Sequence, residues 1–357
     1  MRAALLLLTA CSTGSIYPLP SPDAPPITTS PDAEPPPPPP LEDPGADGPY
    51  HAGVHTVTLH DPSRGRDFAV DVWYPAAGDG SKNRYELDSI FGTLARIDSP
   101  ARRDATPAAG TWPLVIFSHG FGGIRFQSYF LTERLATHGI VVIAPDHPGN
   151  TLLDFQQLGD DKAAAQSAVD RPLDVLFALD AALAGRLGVP LPIDPRHVAT
   201  TGHSFGGWTA LETARRDPRI TAAFPLAPGF RNGATDDFVA QLARPLLFVG
   251  GSRDHTCEFP ANQQDPYDKA APPKYLLDVL GAGHLDFSNL CEVPLAKQFI
   301  DDGCDPSHID PAVVHERANR VATAFALRYL RDDPRYDAAL VIPVIEALGN
   351  VAFSAAP

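Results

Sequence analysis

Apolar and strand-like runs, separated by segments of a different period, constrain this chain more than any other feature. They read PLVIFSHG (113–120), IVVIAP (140–145), HVATTGHS (197–204), ITAAFPLAP (220–228), PLLFVGGSRD (245–254) and PKYLLDVLGAGH (273–284). Runs that stay apolar on both sides of the period-2 alternation belong to strands buried on both faces, as in a parallel sheet. The intervening segments change period. FQSYFLTERLATHG sets Phe126, Phe130, Leu131 and Leu135 at helical spacing. DVLFALDAALAGRL and GGWTALETARR also read as helices, the former with Pro172 near its start, where a missing N–H costs nothing. PKYLLDVLGAGH is the last strand, and DPAVVHERANRVATAFALRYL closes the domain as a long amphipathic helix. Upstream, GVHTVTLHD and DFAVDVWYP alternate and form a hairpin across the turn residues DPSRGR, and residues 76–111 read as an irregular insertion. Strands that alternate with helices predict an α/β fold, a mostly parallel central sheet with helices on both faces.

The chain has 357 residues, 44% of them hydrophobic, enough for a large core. Its 43 acidic against 28 basic residues give a formal charge of −15, the wrong footprint for nucleic acid. No uninterrupted apolar run is long enough for a spanning helix.

The N-terminus is set apart. In MRAALLLLTACS, Arg2 precedes an apolar run from Ala3 to Leu8, the plan of a secretory signal. Leu8-Thr9-Ala10-Cys11 resembles a bacterial lipobox, which implies cleavage after residue 10 and a diacylglycerol on the Cys11 thiol. Residues 1–10 are therefore expected to be a lipoprotein-type signal peptide. Residues 11–49 are dominated by proline, which removes donors and fixes φ, so this stretch reads as an extended tether. Residues 50–357 are the expected catalytic domain, acting as a monomer on an exported, membrane-anchored protein.

The chemistry centres on Gly202-His203-Ser204-Phe205-Gly206, which follows a buried strand and opens a helix. This Gly-x-Ser-x-Gly arrangement is a nucleophile elbow: a strained turn exposes the serine, and small neighbours let the helix approach the sheet. Serine needs a base, and in this fold the acid and then the histidine follow the serine in sequence. His284, on the glycine-loosened loop LGAGHLDF, is the preferred base over His255, His308 and His315. Asp254, just past the strand PLLFVGG, is the preferred acid over Asp236, Asp237 and Asp278. The backbone N–H groups of Phe205 and, in the loop SHGFGG, Phe121 would form the oxyanion hole.

From about residue 54 to 331 the chain resembles the α/β-hydrolase superfamily, and within it bacterial esterases grouped with platelet-activating-factor acetylhydrolases and predicted dienelactone hydrolases. VDVWYPA, VIFSHGFGG, VVIAPDHPGNT, RPLDVLFALD and TGHSFGG carry the resemblance. It implies the α/β-hydrolase fold and a carboxylic-ester hydrolase with Ser204, Asp254 and His284 as triad, acting on short-acyl or lipid-like esters through an acyl-enzyme. Dienelactone hydrolases use a cysteine nucleophile, and secreted polyester hydrolases commonly carry a Trp-Ser-Met elbow. Here the elbow reads His203-Ser204-Phe205, which disfavours both substrates. An amidase or peptidase, a polyester hydrolase and a non-catalytic tethered binding protein are the alternatives.

His119 and His203 read as structural, and Asp146 and His147 as packing and turn residues at the active edge. Phe121, Phe126, Phe205 and Trp208 are candidates for an apolar acyl pocket. No Cys/His spacing reads as a metal site, and no cofactor is expected. Cys257, Cys291 and Cys304 allow one bridge and one leftover thiol. Cys291–Cys304 is favoured because it closes a short loop; Cys257–Cys291, tying the Asp254 loop to the His284 loop, is the rival.

Overall fold

The computed structural model describes residues 40–89, 92–154, 160–230, 236–293 and 302–357. Cys11, the expected signal peptide and most of the tether lie outside them. The compact body begins at Leu41. Glu42 meets the His138 Nδ1 at 2.7 Å and accepts from Arg331 Nη1 at 2.6 Å, so the acidic end of the proline-rich tract packs on the domain.

The described strands form one sheet. In chain order they are β1 (His51–Asp61), β2 (Arg66–Ala76), β3 (Ser81–Ser89), β4 (Gly92–Arg103), β5 (Trp112–Ser118), β6 (Val141–Pro145), β7 (Ile193–Gly202), β8 (Ile220–Ala223), β9 (Leu246–Gly251), β10 (Lys274–Val279) and β11 (Val351–Ala356). Across the sheet they run β11-β10-β9-β8-β7-β5-β6-β2-β1-β4-β3. From β6 to β10 every neighbouring pair is parallel. The β1–β2 and β3–β4 ribbons and β11 add antiparallel pairs outside that centre.

Alternate side chains of one strand serve opposite cores, which is why the central strands read as continuous apolar runs. On β5, Val115 and Phe117 join one cluster while Leu114 and Ile116 join the other. The first cluster packs beneath α1 (Tyr129–Thr137) and α6 (Pro311–Leu330). The second packs beneath α2 (Asp161–Leu183) and α3 (Phe205–Arg216), with α4 (Asp236–Val239) and α5 (Asp265–Lys269) at its end. Among the described residues no helix is long and apolar enough to cross a membrane.

Three expectations are corrected. Pro172 stands in the middle of α2, because the alanine-rich stretch before it is a strong helix former and Asp160 caps it by accepting from the Lys162 N–H at 2.8 Å. Residues 76–111 are not irregular: they hold the β3–β4 hairpin, whose charged outer residues alternate with Asn83, Tyr85 and Leu87 turned inward. Its weak apolar content hid the alternation. Nor does α6 end the domain. The short helix α7 (Ile342–Glu346) follows it, and β11 then pairs antiparallel with β10, extending the sheet with few β-branched residues.

Candidate active site

Ser204 sits between β7 and α3 with φ 58° and ψ −124°. That is left-handed backbone, costly for a residue with a Cβ and typical of functional turns. The neighbours explain how it is tolerated. A Cβ at Gly202 or Gly206 would run into the Ser118 carbonyl at the end of β5, and one at Gly207 would crowd Pro228. The turn is pinned by main-chain bonds: His203 N–H to Ser118 O at 3.1 Å, and Ser204 N–H to Leu226 O at 3.0 Å. Ser204 is half-buried, at the first turn of α3, where Phe205 supplies a helix-start N–H with no partner inside the helix.

Asp254 and His284 come from the loops after β9 and β10. Asp254 Oδ2 and His284 Nδ1 are 2.8 Å apart, and both side chains are buried. The Cys257 N–H fixes the other carboxylate oxygen of Asp254 at 2.6 Å. Burial alone would push His284 toward the neutral form. The hydrogen bonds and charges of Asp254 and Cys257 overcome it and raise the imidazole above the ordinary histidine value.

His284 is also tied to the elbow. The rings of His203 and His284 lie 4.6 Å apart, and His203 Nε2 is 2.8 Å from the His284 carbonyl. Gln127 completes the link: its Oε1 accepts from the Gly120 N–H at 3.0 Å, and its Nε2 is 2.6 Å from His203 Nδ1. The amide therefore donates to Nδ1, and Nε2–H of His203 donates to His284. One chain of hydrogen bonds thus runs from the Gly120 loop through the elbow to His284.

Sequence reasoning missed both Gln127 and Asp302. Asp302 Oδ1 accepts from the His284 N–H at 3.0 Å. Its Oδ2 accepts from the N–H groups of His255 and Thr256 and from the Thr256 hydroxyl at 2.6–2.9 Å. The Asp254 and His284 loops are therefore joined by a carboxylate, not by the rival Cys257–Cys291 bridge. The structure pairs Cys291 with Cys304, two residues beyond Asp302, and leaves Cys257 as a buried free thiol. Cys257 Sγ lies where a Cβ on Gly229 would reach, beside the Ser204–Phe205 peptide.

The other singled-out residues separate clearly. Phe121, Phe205 and Trp208 form an aromatic row, with centroids 6.3 and 5.4 Å apart; Phe121 and Trp208 are half-buried. Phe126 instead stacks on Tyr85 of the β3–β4 hairpin, away from that row. Asp146 accepts from the Arg125 N–H and Nη1 and shapes the turn after β6. His255 and His308 do not meet Asp254: His255 is exposed, and His308 Nδ1 faces Asp305 at 2.8 Å. His315 stacks on Phe130. Asp278 lies inside β10, and α4 carries Asp236 and Asp237.

The sheet topology and a glycine-lined serine elbow define an α/β-hydrolase, and known relatives place it among serine carboxylic-ester hydrolases. A family model described as PET hydrolase-like (PETase) matches residues 102–304, so the chain belongs to that family. A platelet-activating factor acetylhydrolase of Cavia porcellus is 23% identical, over 82% of this chain and 79% of that protein. Cutinase est2 of Thermobifida alba is 31% identical over 54% of this chain, a match spanning just 61% of the cutinase. A ferulic acid esterase from Streptomyces cinnamoneus superposes with a TM-score of 0.65 at 26% identity, covering 85% of this chain and 96% of the esterase.

Proposed function

We propose that Ser204, His284 and Asp254 are the triad of an esterase working through an acyl-enzyme. The observation that carries this reading is the strained, half-buried Ser204, whose neighbour His203 anchors a His284–Asp254 pair to the elbow. Ser204 Oγ attacks the ester carbonyl as its proton passes to His284 Nε2. Asp254 holds the Nδ1–H tautomer and stabilises the imidazolium. The Phe205 and Phe121 N–H groups receive the oxyanion, each contributing about 3 kcal/mol to the transition state. His284 then protonates the leaving alcohol, and a water activated by the same imidazole releases the acid.

The substrate reading is a short-acyl or lipid-like ester. A second reading, an aromatic polyester, is favoured by the PET hydrolase-like family match and by the half-buried aromatics Phe121 and Trp208 on either side of the buried Phe205. Nitrophenyl esters of increasing acyl length, a nitroanilide and a polyester film separate the cases. Turnover of acetate or butyrate esters well above the film and the anilide is the expected result. Anilide turnover matching the esters would refute the esterase reading in favour of an amidase.

Export and anchoring through a lipid on Cys11 belong to the same proposal. The Cys291–Cys304 bridge supports export, since disulfides persist in oxidising compartments. Cys11→Ser should move the protein from the detergent phase to the aqueous phase; unchanged partitioning would refute the anchor.

A further inference from the structure

Arg171 is the one fully buried arginine among the described core residues, with no exposed surface at all. Burying a guanidinium is costly unless it is paired, yet its described hydrogen bonds all go to neutral acceptors. Nε donates to Thr209 Oγ1 at 3.2 Å. Nη1 donates to Asn150 Oδ1 at 2.6 Å and to Gly120 O at 3.4 Å. Nη2 donates to Ser118 Oγ at 3.1 Å and to the His119 carbonyl. The guanidinium carbon also lies over the Phe205 ring, 4.6 Å from its centroid. Burial lowers the group to about 9, with Asp174 opposing, so it remains a cation at neutral pH.

Those partners share a property. Gly120 O belongs to the same peptide unit as the Phe121 N–H, and the Phe205 ring to the residue that supplies the other donor. Gly120 O also faces His119 Nδ1 at 2.8 Å. Because His119 Nε2 accepts from the His147 N–H at 3.2 Å, the His119 proton is on Nδ1 and is donated to Gly120 O. Hydrogen bonds to a peptide carbonyl fix the plane of that peptide and strengthen its N–H as a donor.

We propose that Arg171 is a positioning residue for the oxyanion hole. From behind, it clamps the Gly120–Phe121 peptide to the Phe205 ring, and its charge acts on the negative charge that develops on the ester oxygen. The inference rests on the reading of Ser204 as nucleophile and of Phe121 and Phe205 as donors. No carboxylate is among its hydrogen-bond partners, and Asp174 offsets the charge only through space. The nearest compensation is relayed through Ser118 and His147 to Asp174.

The test compares Arg171→Met, Arg171→Lys and Ser204→Ala, with soluble protein checked by circular dichroism. For Arg171→Met, kcat on a nitrophenyl ester should fall roughly 30-fold or more, somewhat short of the ~100-fold or greater cost of a lost oxyanion donor because Arg171 acts through the donors. KM should stay within about threefold, and affinity for a boronic acid that forms a tetrahedral serine adduct should fall in parallel with kcat. Arg171→Lys keeps the charge but not the fork, and should recover part of the loss. Wild-type kcat and boronate affinity in either folded variant, whatever the change in Tm, would overturn the proposal. If Arg171→Met does not fold, Arg171→Lys decides alone, with about a tenfold fall in kcat expected because an ammonium cannot make the several guanidinium contacts at once. Ser204→Ala separates the two ideas. If it is inactive while Arg171→Met turns over normally, only the role of Arg171 fails; if it is active, the underlying reading fails.

Discussion

The protein contains two Ser/His/Asp groupings, and the better hydrogen-bonded one is not the one proposed as the site. Ser118 Oγ is 2.9 Å from His147 Nε2, and His147 Nδ1 is 3.0 Å from Asp174 Oδ2. Arg171 can only donate to Ser118, so the Ser118 proton points to His147, and the His147 Nδ1–H points to Asp174. Bond by bond this matches a triad, but Ser118, His147 and Asp174 are 0–1% exposed. Ser118 ends the extended strand β5, whereas Ser204 sits in a left-handed turn that brings its hydroxyl to the edge of the sheet. Electrostatics separate the two groupings further. Burial, then Arg171, Arg66 and Arg64, drive His147 well below the ordinary histidine value and keep it neutral. His284 faces no such cluster, and the carboxylate of Asp254 raises it against its burial. A hydrogen-bonded triplet is therefore not enough by itself; access, backbone strain and the surrounding charges are what favour the Ser204 grouping as the proposed site.

The sharpest way to break this comparison is to remove each serine. Ser204→Ala should lower kcat by roughly 10⁴- to 10⁶-fold. Ser118→Ala should keep activity within about tenfold, losing mainly a buried bond of about 1 kcal/mol. Peptide mapping after a fluorophosphonate probe should find the label on Ser204 alone; a labelled Ser118 would overturn the distinction.

The acids should divide function from stability. Asp254→Asn should cost about 10⁴-fold in kcat, because the wrong imidazole tautomer is stabilised. Asp174→Asn should instead cost about 3 kcal/mol of stability, since Asp174 is the buried partner of both Arg64 and Arg66. The folded Asp174→Asn enzyme should still turn over, as denaturant unfolding and initial rates measured on the same sample would check.

The smallest effect lies in the pH profiles. Because Asp254 raises His284, kcat/KM should fall on acidification with a midpoint above 6.5, and a His284-dependent step measured in D254N should shift to lower pH. His119, His147 and His203 have the opposite sign. Each is held well below 6.5 by burial first and nearby positive groups second. The unfolded chain then binds more protons than the native one below pH 6.5, so they make stability fall as pH drops through that value. A Tm that is flat from pH 7.5 to 5.5 would count against three buried neutral imidazoles.

The elbow, its strand and helix, and the placing of Asp254 and His284 just past two strands were legible in the sequence because each is local: a glycine spacing, a change of hydrophobic period, a polar residue just past an apolar run. The Cys291–Cys304 pairing was legible for the same reason, a short loop. Gln127, Arg171 and Asp302 were not. Arg171 stands before a proline, ahead of the stretch that reads as a helix, and neither residue type nor spacing tells that it lies in mid-helix and turns inward. Its meaning depends on α2 crossing behind the loop after β5, more than fifty residues earlier in the chain. Asp302 becomes the tie between two loops only once β9 and β10 are neighbours. His147 reads as a residue at the active edge and Ser118 as the start of the glycine loop, and only the packing around them closes off water. The sequence by itself thus determined which elements form and which serine is strained, because backbone preference acts over a few residues. The tertiary structure decided which polar groups are buried, and so which of two similar triplets is open to a substrate, because burial is set by what lies across the sheet rather than along the chain.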